Sequence, residues 1–115
     1  MPFVWIIRGS GTGSAPQIDQ DAFNYSASAT SISAPSLTPT TNSDLLLLLF
    51  GNDYNSGGSW QTVPTGPTFD VDYGGGPNDL VGSLLLTNED PTSEYTAGFS
   101  VSGQMWAFAI AVEVP

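Results

Sequence analysis

The sequence predicts an all-β protein: a single-domain antiparallel β-sandwich, jelly-roll-like, with an N-terminal strand or arm. Two observations carry this prediction. Thirteen Gly and nine Pro are spread along the 115 residues, which interrupts helices too often for any to exceed a turn or two. Short apolar runs without helical periodicity stand between them, at a spacing that suits two packed sheets. A mass of 12.0 kDa is enough for one core, so residues 1–115 are assigned to one domain.

The candidate strands follow the apolar runs along the chain. They cover residues 3–8, 23–27, 30–33, 44–51, 59–63, 68–73, 80–87, 95–101 and 104–114. A flexible Gly/Ser-rich stretch at 9–14 separates the first of them from the rest. Residues 1–16 are therefore interpreted as a strand of the same sandwich with its hinge, and an arm that reaches a neighbouring copy is the alternative.

The last predicted strand has two unlike faces. Trp106 alternates in phase with Phe108 and Ile110, so Trp106 is assigned to the core. The opposite face starts with Met105 and Ala107 and continues with alanines, which can lie close under another layer.

Residues 45–50 form a run that is apolar on both faces, which is typical of a central strand. We expect a loop or a partner subunit to cover its second face. The run Leu84-Leu85-Leu86 is a weaker case of the same pattern and also predicts a strand that needs cover on both faces. Because a small domain has limited material to cover both sides of two such strands, the sequence favours an oligomer.

The charge pattern excludes several classes of function. Arg8 is the sole basic residue against eleven carboxylates, and the chain contains no His, no Lys and no Cys. Ser or Cys nucleophiles usually need a His or Lys base, zinc prefers Cys and His, and phosphate recognition needs clustered basic residues. A formal net charge of −10 also repels nucleic acid and anionic membranes. We expect neither as a partner.

The N-terminal apolar run does not match a signal peptide. It spans residues 3–7 and is followed by Arg8, whereas a secretory signal has its positive charge first and a longer apolar stretch after it. The run at 45–50 is far shorter than the ~20 residues that a transmembrane helix requires. We expect a protein made in the cytoplasm without a signal peptide.

Three carboxylates are the best candidates for a metal. Asp70 and Asp72 alternate on one predicted strand face, and the turn at 74–79 brings Asp79 back nearby. Carboxylate and carbonyl oxygens suit calcium, but the spacing is not that of an EF-hand. Charges on an exposed edge strand commonly prevent aggregation. A solvated acidic edge is therefore the preferred interpretation, and calcium is the alternative.

The same carboxylates do not predict an enzyme. Asp70 and Asp72 would lie roughly 7 Å apart, within the range of a glycosidase acid/base pair. A chain without long loops leaves little material for a deep site, and carboxyls flanked by turns lack the burial that raises a pKa for acid work. We expect no catalytic residues and no cofactor.

Aromatic and N-terminal residues are the candidates for partner contacts. Tyr54 lies within the polar loop at 52–59 and Trp60 stands at its far end, where an amphipathic ring can stack on a sugar or fill a pocket. For Trp60, a place in the core is an equally good interpretation. Phe3, Trp5 and Arg8 belong to the N-terminal segment, which could reach a neighbour.

The order and type of the segments resemble a known group of proteins. These segments are Asp44 with the leucines at 45–48 after a Ser/Thr/Pro-rich lead, a Gly-rich loop, Pro-Thr-Gly-Pro-Thr at 64–68, an apolar strand at 80–87, Glu89-Asp90-Pro91 and Met-Trp-Ala-Phe-Ala-Ile at 105–110. In this succession nearly the whole chain is similar to small β-sandwich proteins of tailed bacteriophages. The turn at 64–68 departs from them because it lacks the Gly-Trp that often follows the Pro.

The resemblance implies a structural part of the virion and brings no catalytic residues. We expect a non-enzymatic capsid decoration (cement) protein that stabilises the phage head. Its expected partners are the major capsid protein and copies of itself, as a homotrimer at a local three-fold axis. The alternative is a fibre-tip or carbohydrate-binding module that holds a glycan on the loop aromatics Trp60 and Tyr54.

Overall fold

The computed structural model describes residues 15–53, 58–72 and 79–113, with the backbone alone at 70–72. Within these ranges the chain forms strands and no helix, as predicted. The strands are β1 (Gln17–Ala34), β2 (Leu45–Asn52), β3 (Trp60–Thr62), β4 (Thr68–Asp72), β5 (Asp79–Leu85) and β6 (Tyr95–Glu113). A helix able to cross a bilayer is therefore not found in this part of the chain. The predicted strand at 3–8 lies outside the described residues.

The six strands belong to one antiparallel sheet. Its order is β1-β6-β2-β5-β4, and the short β3 pairs with the first part of β6. Every pairing between these strands is antiparallel. The all-β, antiparallel fold class is confirmed, whereas jelly-roll connectivity stays a prediction.

β1 and β6 are longer than predicted because each runs through a point where the sequence predicts a break. Their pairing shifts register between Ser26 and Ala29 and again between Ala29 and Ser31, as at β-bulges that bend a strand. The Asn24 side chain donates a hydrogen bond to the Ser33 carbonyl at 3.0 Å, although nine residues of straight strand would separate them by about 30 Å. The β1–β6 ribbon therefore folds back and forms two layers.

The core lies between these two layers. Leu46, Leu48 and Phe50 of β2 are completely buried. Beside them in register on β6 lie Ala111, Ala109 and Ala107, which are also completely buried. The second layer contributes Ile32, Ala34, Trp60, Ala97 and Phe99 to the same cluster. As predicted, the small face of β6 lies close under another layer, because methyl side chains let the layers approach.

The prediction that Trp106 belongs to the core is wrong. Its neighbours Met105 and Ala107 take the inward positions, so the alternation of the strand turns Trp106 to the opposite face, where it is half-buried. There its indole lies across Gly51, since a Cβ on that glycine would collide with the Trp106 Nε1. The alanine face of β6, and not the Trp106 face, therefore lies against the second layer.

β2 is the central strand that the sequence predicts. It pairs with β6 on one side and with β5 on the other. Its inward leucines are fully buried, and on its second face Leu47 is only 6% exposed while Leu45 and Leu49 are half-buried. β2 is apolar on both faces because each of its faces is buried or half-buried.

At the bend of the edge strand β1, the Asn24 side chain occupies backbone groups that could otherwise pair with another strand. The Asn24 Oδ1 accepts a hydrogen bond from the Tyr25 backbone N–H at 2.9 Å, and its Nδ2 donates to the carbonyl of Ser33. Edge strands that leave such backbone groups free are templates for another strand. By occupying both groups, Asn24 disfavours addition of a strand at this position.

Candidate functional site

An exposed apolar strip runs along β1 on the face away from the core. Ile18 is 63% exposed, Phe23 57% and Tyr25 49%. The register places them beside large residues of β6, and the ring centroids of Phe23 and Phe108 are 4.8 Å apart. We define the outer strip as Ile18, Phe23, Tyr25, Phe108 and Ile110. Large apolar side chains grouped in this way are typical of contact surfaces.

A shallow groove of about 300 Å³ crosses the outer strip. The described residues that line it include Phe23, Phe108 and Ile110, with Asp21 at its side. Its walls are mainly carbon, so it offers apolar contact and aromatic stacking to whatever occupies it. Asp21 adds a carboxylate acceptor, and no nucleophile or base accompanies it among these lining residues.

Sequence reasoning did not identify this surface. It placed a strand at 23–27 but singled out none of its residues, and it assigned the Trp106 side of the last strand to the core. The alternation of Asp21, Phe23 and Tyr25 was the available signal. It shows that these side chains share a face but not that the face points outward.

Trp60 lies in the core and not on an exposed loop surface. It is 7% exposed, and its ring centroid lies 6.5 Å from that of Phe50 and 5.1 Å from that of Phe99. The prediction of Trp60 as a partner contact is therefore wrong. β3 pairs with β6 at this point, which carries the indole over the β2 side chains. The other contact candidates, Phe3, Trp5, Arg8 and Tyr54, lie outside the described residues.

The calcium candidates are brought to neighbouring strands. The register sets Asp72 opposite Asp79, while Asp70 stands opposite Val81. Asp79 is 7% exposed, so it is buried and not part of a solvated edge as preferred from sequence. The side chains of the other two aspartates lie outside the description. Among the described residues, no group of three or more acidic side chains could hold a metal ion.

Two neighbouring carboxyls, the buried Asp44 and the partly exposed Asp19, join the loop before β2 to the start of β1. Asp44 has no exposed surface, and Thr41 Oγ1 donates a hydrogen bond to its Oδ1 at 2.5 Å. Its Oδ2 receives no hydrogen bond from a donor group, and the carboxyl of Asp19 is its acidic neighbour. Thr40 donates both its backbone N–H, at 2.6 Å, and its hydroxyl to Asp19.

The two carboxyls have pKa values displaced in opposite directions. Burial is the largest cause that raises the pKa of Asp44, and the charges of Asp19 and Glu113 raise it further. The hydrogen bond from Thr41 acts in the opposite direction and lowers it. The hydrogen bonds from Thr40 lower the pKa of Asp19. Burial therefore disfavours the charged form of Asp44, whereas the hydrogen bonds from Thr40 favour the charged form of Asp19. Asp44 has no exposed surface, so its carboxyl is inaccessible to a substrate.

Asp44→Asn is expected to make the protein more stable than wild type at pH 7. The pKa of Asp44 is raised in the folded state above its ordinary value of 3.8. Its contribution to stability is therefore fully present below pH 3.8 and is lost as the pH rises through the folded-state pKa. The side-chain amide that this substitution introduces would donate to Asp19 at every pH. Urea midpoints from pH 3 to pH 8 measure the difference, which should vanish towards pH 3.

Asp19→Asn is the matched control because its pKa is lowered. The wild-type contribution of Asp19 is present above its ordinary value of 3.8 and is lost as the pH falls. This variant should therefore be less stable than wild type at pH 7, since Thr40 loses a charged acceptor. An Asp44→Asn variant that is less stable than wild type at pH 7 would contradict a raised pKa for Asp44 in the fold.

Comparison with known proteins identifies no matching family, no similar curated protein and no similar solved structure.

Proposed function

We propose that this chain is a non-enzymatic structural protein of a phage particle, and that it decorates and stabilises the capsid. The observation that carries the proposal is the outer strip, on which Ile18, Phe23 and Tyr25 are each about half exposed or more. A soluble monomer rarely displays such side chains together, whereas a subunit of an assembly uses them as contacts.

The proposed mechanism is physical attachment. Apolar surface attaches the domain to the major capsid protein and to neighbouring copies, which ties adjacent capsid subunits together. The net charge of −10 keeps finished particles apart through repulsion between their surfaces. A homotrimer at a local three-fold axis is the arrangement that matches the symmetry of such a shell.

The buried indole of Trp60 bears on the alternative, a glycan-binding module. That interpretation needs Trp60 as an exposed stacking platform beside Tyr54, but Trp60 is packed between Phe50 and Phe99. We therefore favour attachment to protein subunits over attachment to sugars.

The test is binding to expanded capsids that were assembled without this chain. We expect the purified protein to co-sediment with these capsids at a saturable number of copies and to raise the temperature at which they disrupt. A small acidic protein of unrelated fold is the control for nonspecific adsorption. Failure to co-sediment with capsids, together with unchanged capsid melting, would reject the proposed function.

A further inference from the structure

We infer that residues 3–8 of this chain lie across the outer face of its own sheet and cover the middle of that face. We define the outer face as the side of β1, β6, β2 and β5 that points away from the second layer. The inference goes beyond the proposed function and does not rest on it, since it concerns a single copy of the chain. It leaves the exposed β1 side chains of the outer strip available to capsid subunits.

The register shows that the outer face is apolar across four strands. Residues that pair directly across neighbouring strands point to the same side of a sheet. The outer face therefore carries three rows, which are Ile18, Val112, Leu45 and Leu85; Asp21, Ile110, Leu47 and Ser83; and Phe23, Phe108, Leu49 and Val81. Leu85, which is 61% exposed, thus belongs to the same face as Ile18 and lies at its far side.

Two residues in the middle of the outer face are buried. Leu47 is 6% exposed and Val112 3%, whereas Ile18 and Leu85 at the sides are 63% and 61% exposed. Neither Leu47 nor Val112 belongs to the core cluster between the two layers. The neighbouring strands only flank these side chains, so their burial indicates that another part of this chain covers them.

The composition of residues 3–8 suits this cover. Five consecutive apolar residues precede Arg8, whereas the stretches at 54–57, 73–78 and 114–115 contain no apolar run of that length. Residues 1–14 also contain the sole basic residue of the chain and no carboxylate. This segment is therefore attracted to a domain that carries all eleven carboxylates, whereas a second acidic domain would be repelled.

The connection to β1 is long enough for the segment to reach the middle of the face. Residues 9–14 span about 20 Å when extended. β2 lies two strands from β1, which is about 10 Å, and a layer packed on the sheet stands about 10 Å above it. Five extended residues cover about 17 Å, more than the roughly 13 Å between Leu45 and Leu49 along β2. The segment can therefore cover every row.

Trypsin tests whether the segment is docked, because Arg8 is the sole residue in the chain after which it can cleave. The protease must bind the residues around Arg8, so the segment has to leave the face before it is cut. The rate of cleavage in the full chain therefore measures the undocked fraction.

Two paired substitutions cover both sides of an extended segment, since alternate side chains point the same way. We expect Trp5→Ser with Ile7→Ser, or Val4→Ser with Ile6→Ser, to be cleaved at least about ten-fold faster than wild type. Thr12→Ala, in the Gly/Ser-rich stretch, is the control and should leave the rate unchanged. Circular dichroism verifies that the sheet is retained. Equal rates for wild type and both paired variants would overturn the inference.

The dependence on concentration shows whether a segment covers its own sheet or that of a second copy. We expect the same cleavage rate for wild type at every protein concentration. Protection that increases with concentration would place the segment on a neighbouring copy and would overturn the inference.

A nitroxide attached through Pro2→Cys locates the segment, since the natural chain contains no cysteine. We expect it to broaden the methyl NMR signals of Leu47 and Ile110 on the outer face more than those of Ile32 and Ala97 in the second layer. Broadening confined to the second layer or to β1 would contradict cover of the middle of the face. None of these outcomes depends on capsids, so the proposed function stands or fails separately.

Discussion

Phe50→Ala is expected to lower the free energy of unfolding by about 3–5 kcal/mol, the range for a truncated core phenylalanine. Phe50 has no exposed surface and lies in contact distance of two other rings, with centroids 6.5 Å away at Trp60 and 6.2 Å away at Phe69. The substitution would leave a cavity between Trp60 and Phe69. Because these two rings belong to different strands, they could fill that cavity only if the layers shifted. Urea denaturation followed by tryptophan fluorescence measures the change.

Phe108→Ala is the matched control for this substitution. It removes the same atoms from β6, but Phe108 is half-buried on the outer face, where its principal neighbour is the exposed Phe23. We expect a loss well below that of Phe50→Ala, since solvent can fill the space that the ring leaves. Equal losses for the two variants would mean that both faces of β6 are core.

Ala109→Leu is expected to destabilise the fold by about 1–3 kcal/mol through overpacking. Ala109 has no exposed surface, and its neighbours in the sheet are Leu48 on β2 and Ala22 on β1. The longer side chain would have to enter the space between the two layers. Differential scanning calorimetry should record a lower unfolding temperature.

Ile110→Leu on the adjacent, half-buried position is the control, and a change of this kind usually costs less than about 1.5 kcal/mol. If Ala109→Leu were tolerated as well as Ile110→Leu, the alanine face would not lie under a second layer. The pair of substitutions therefore tests which side of β6 points inward.

Most strands could be predicted because turn residues end them. Gly, Pro, Asn and Ser follow β2 to β5, and the predictions for these four strands match the observed strands to within a few residues. β1 and β6 were each predicted as two strands. Small and polar residues such as Ser28 and Gly103 resemble a turn in sequence, but in the structure the chain bends there without leaving the sheet.

The candidate site was less predictable than the strands. Alternation along β6 shows that Trp106 and Ala107 occupy different faces, and since both faces are apolar it does not show which one is inside. The outer strip depends on that choice. The contact of Asp19 with Asp44 was also beyond the sequence, because it needs the loop before β2 to return to the start of β1.

The sequence by itself determined the all-β class, the central place of β2 and the shortage of basic groups, since turn residues, two-sided apolarity and charge are local properties. Tertiary structure alone decided that Ala107 and Ala109 lie inside while Phe23 and Tyr25 remain exposed. The physical reason is the distance between layers. The folded β1–β6 ribbon brings its two halves so close that methyl groups fill the inner face of β6, and the large side chains are left on the other face.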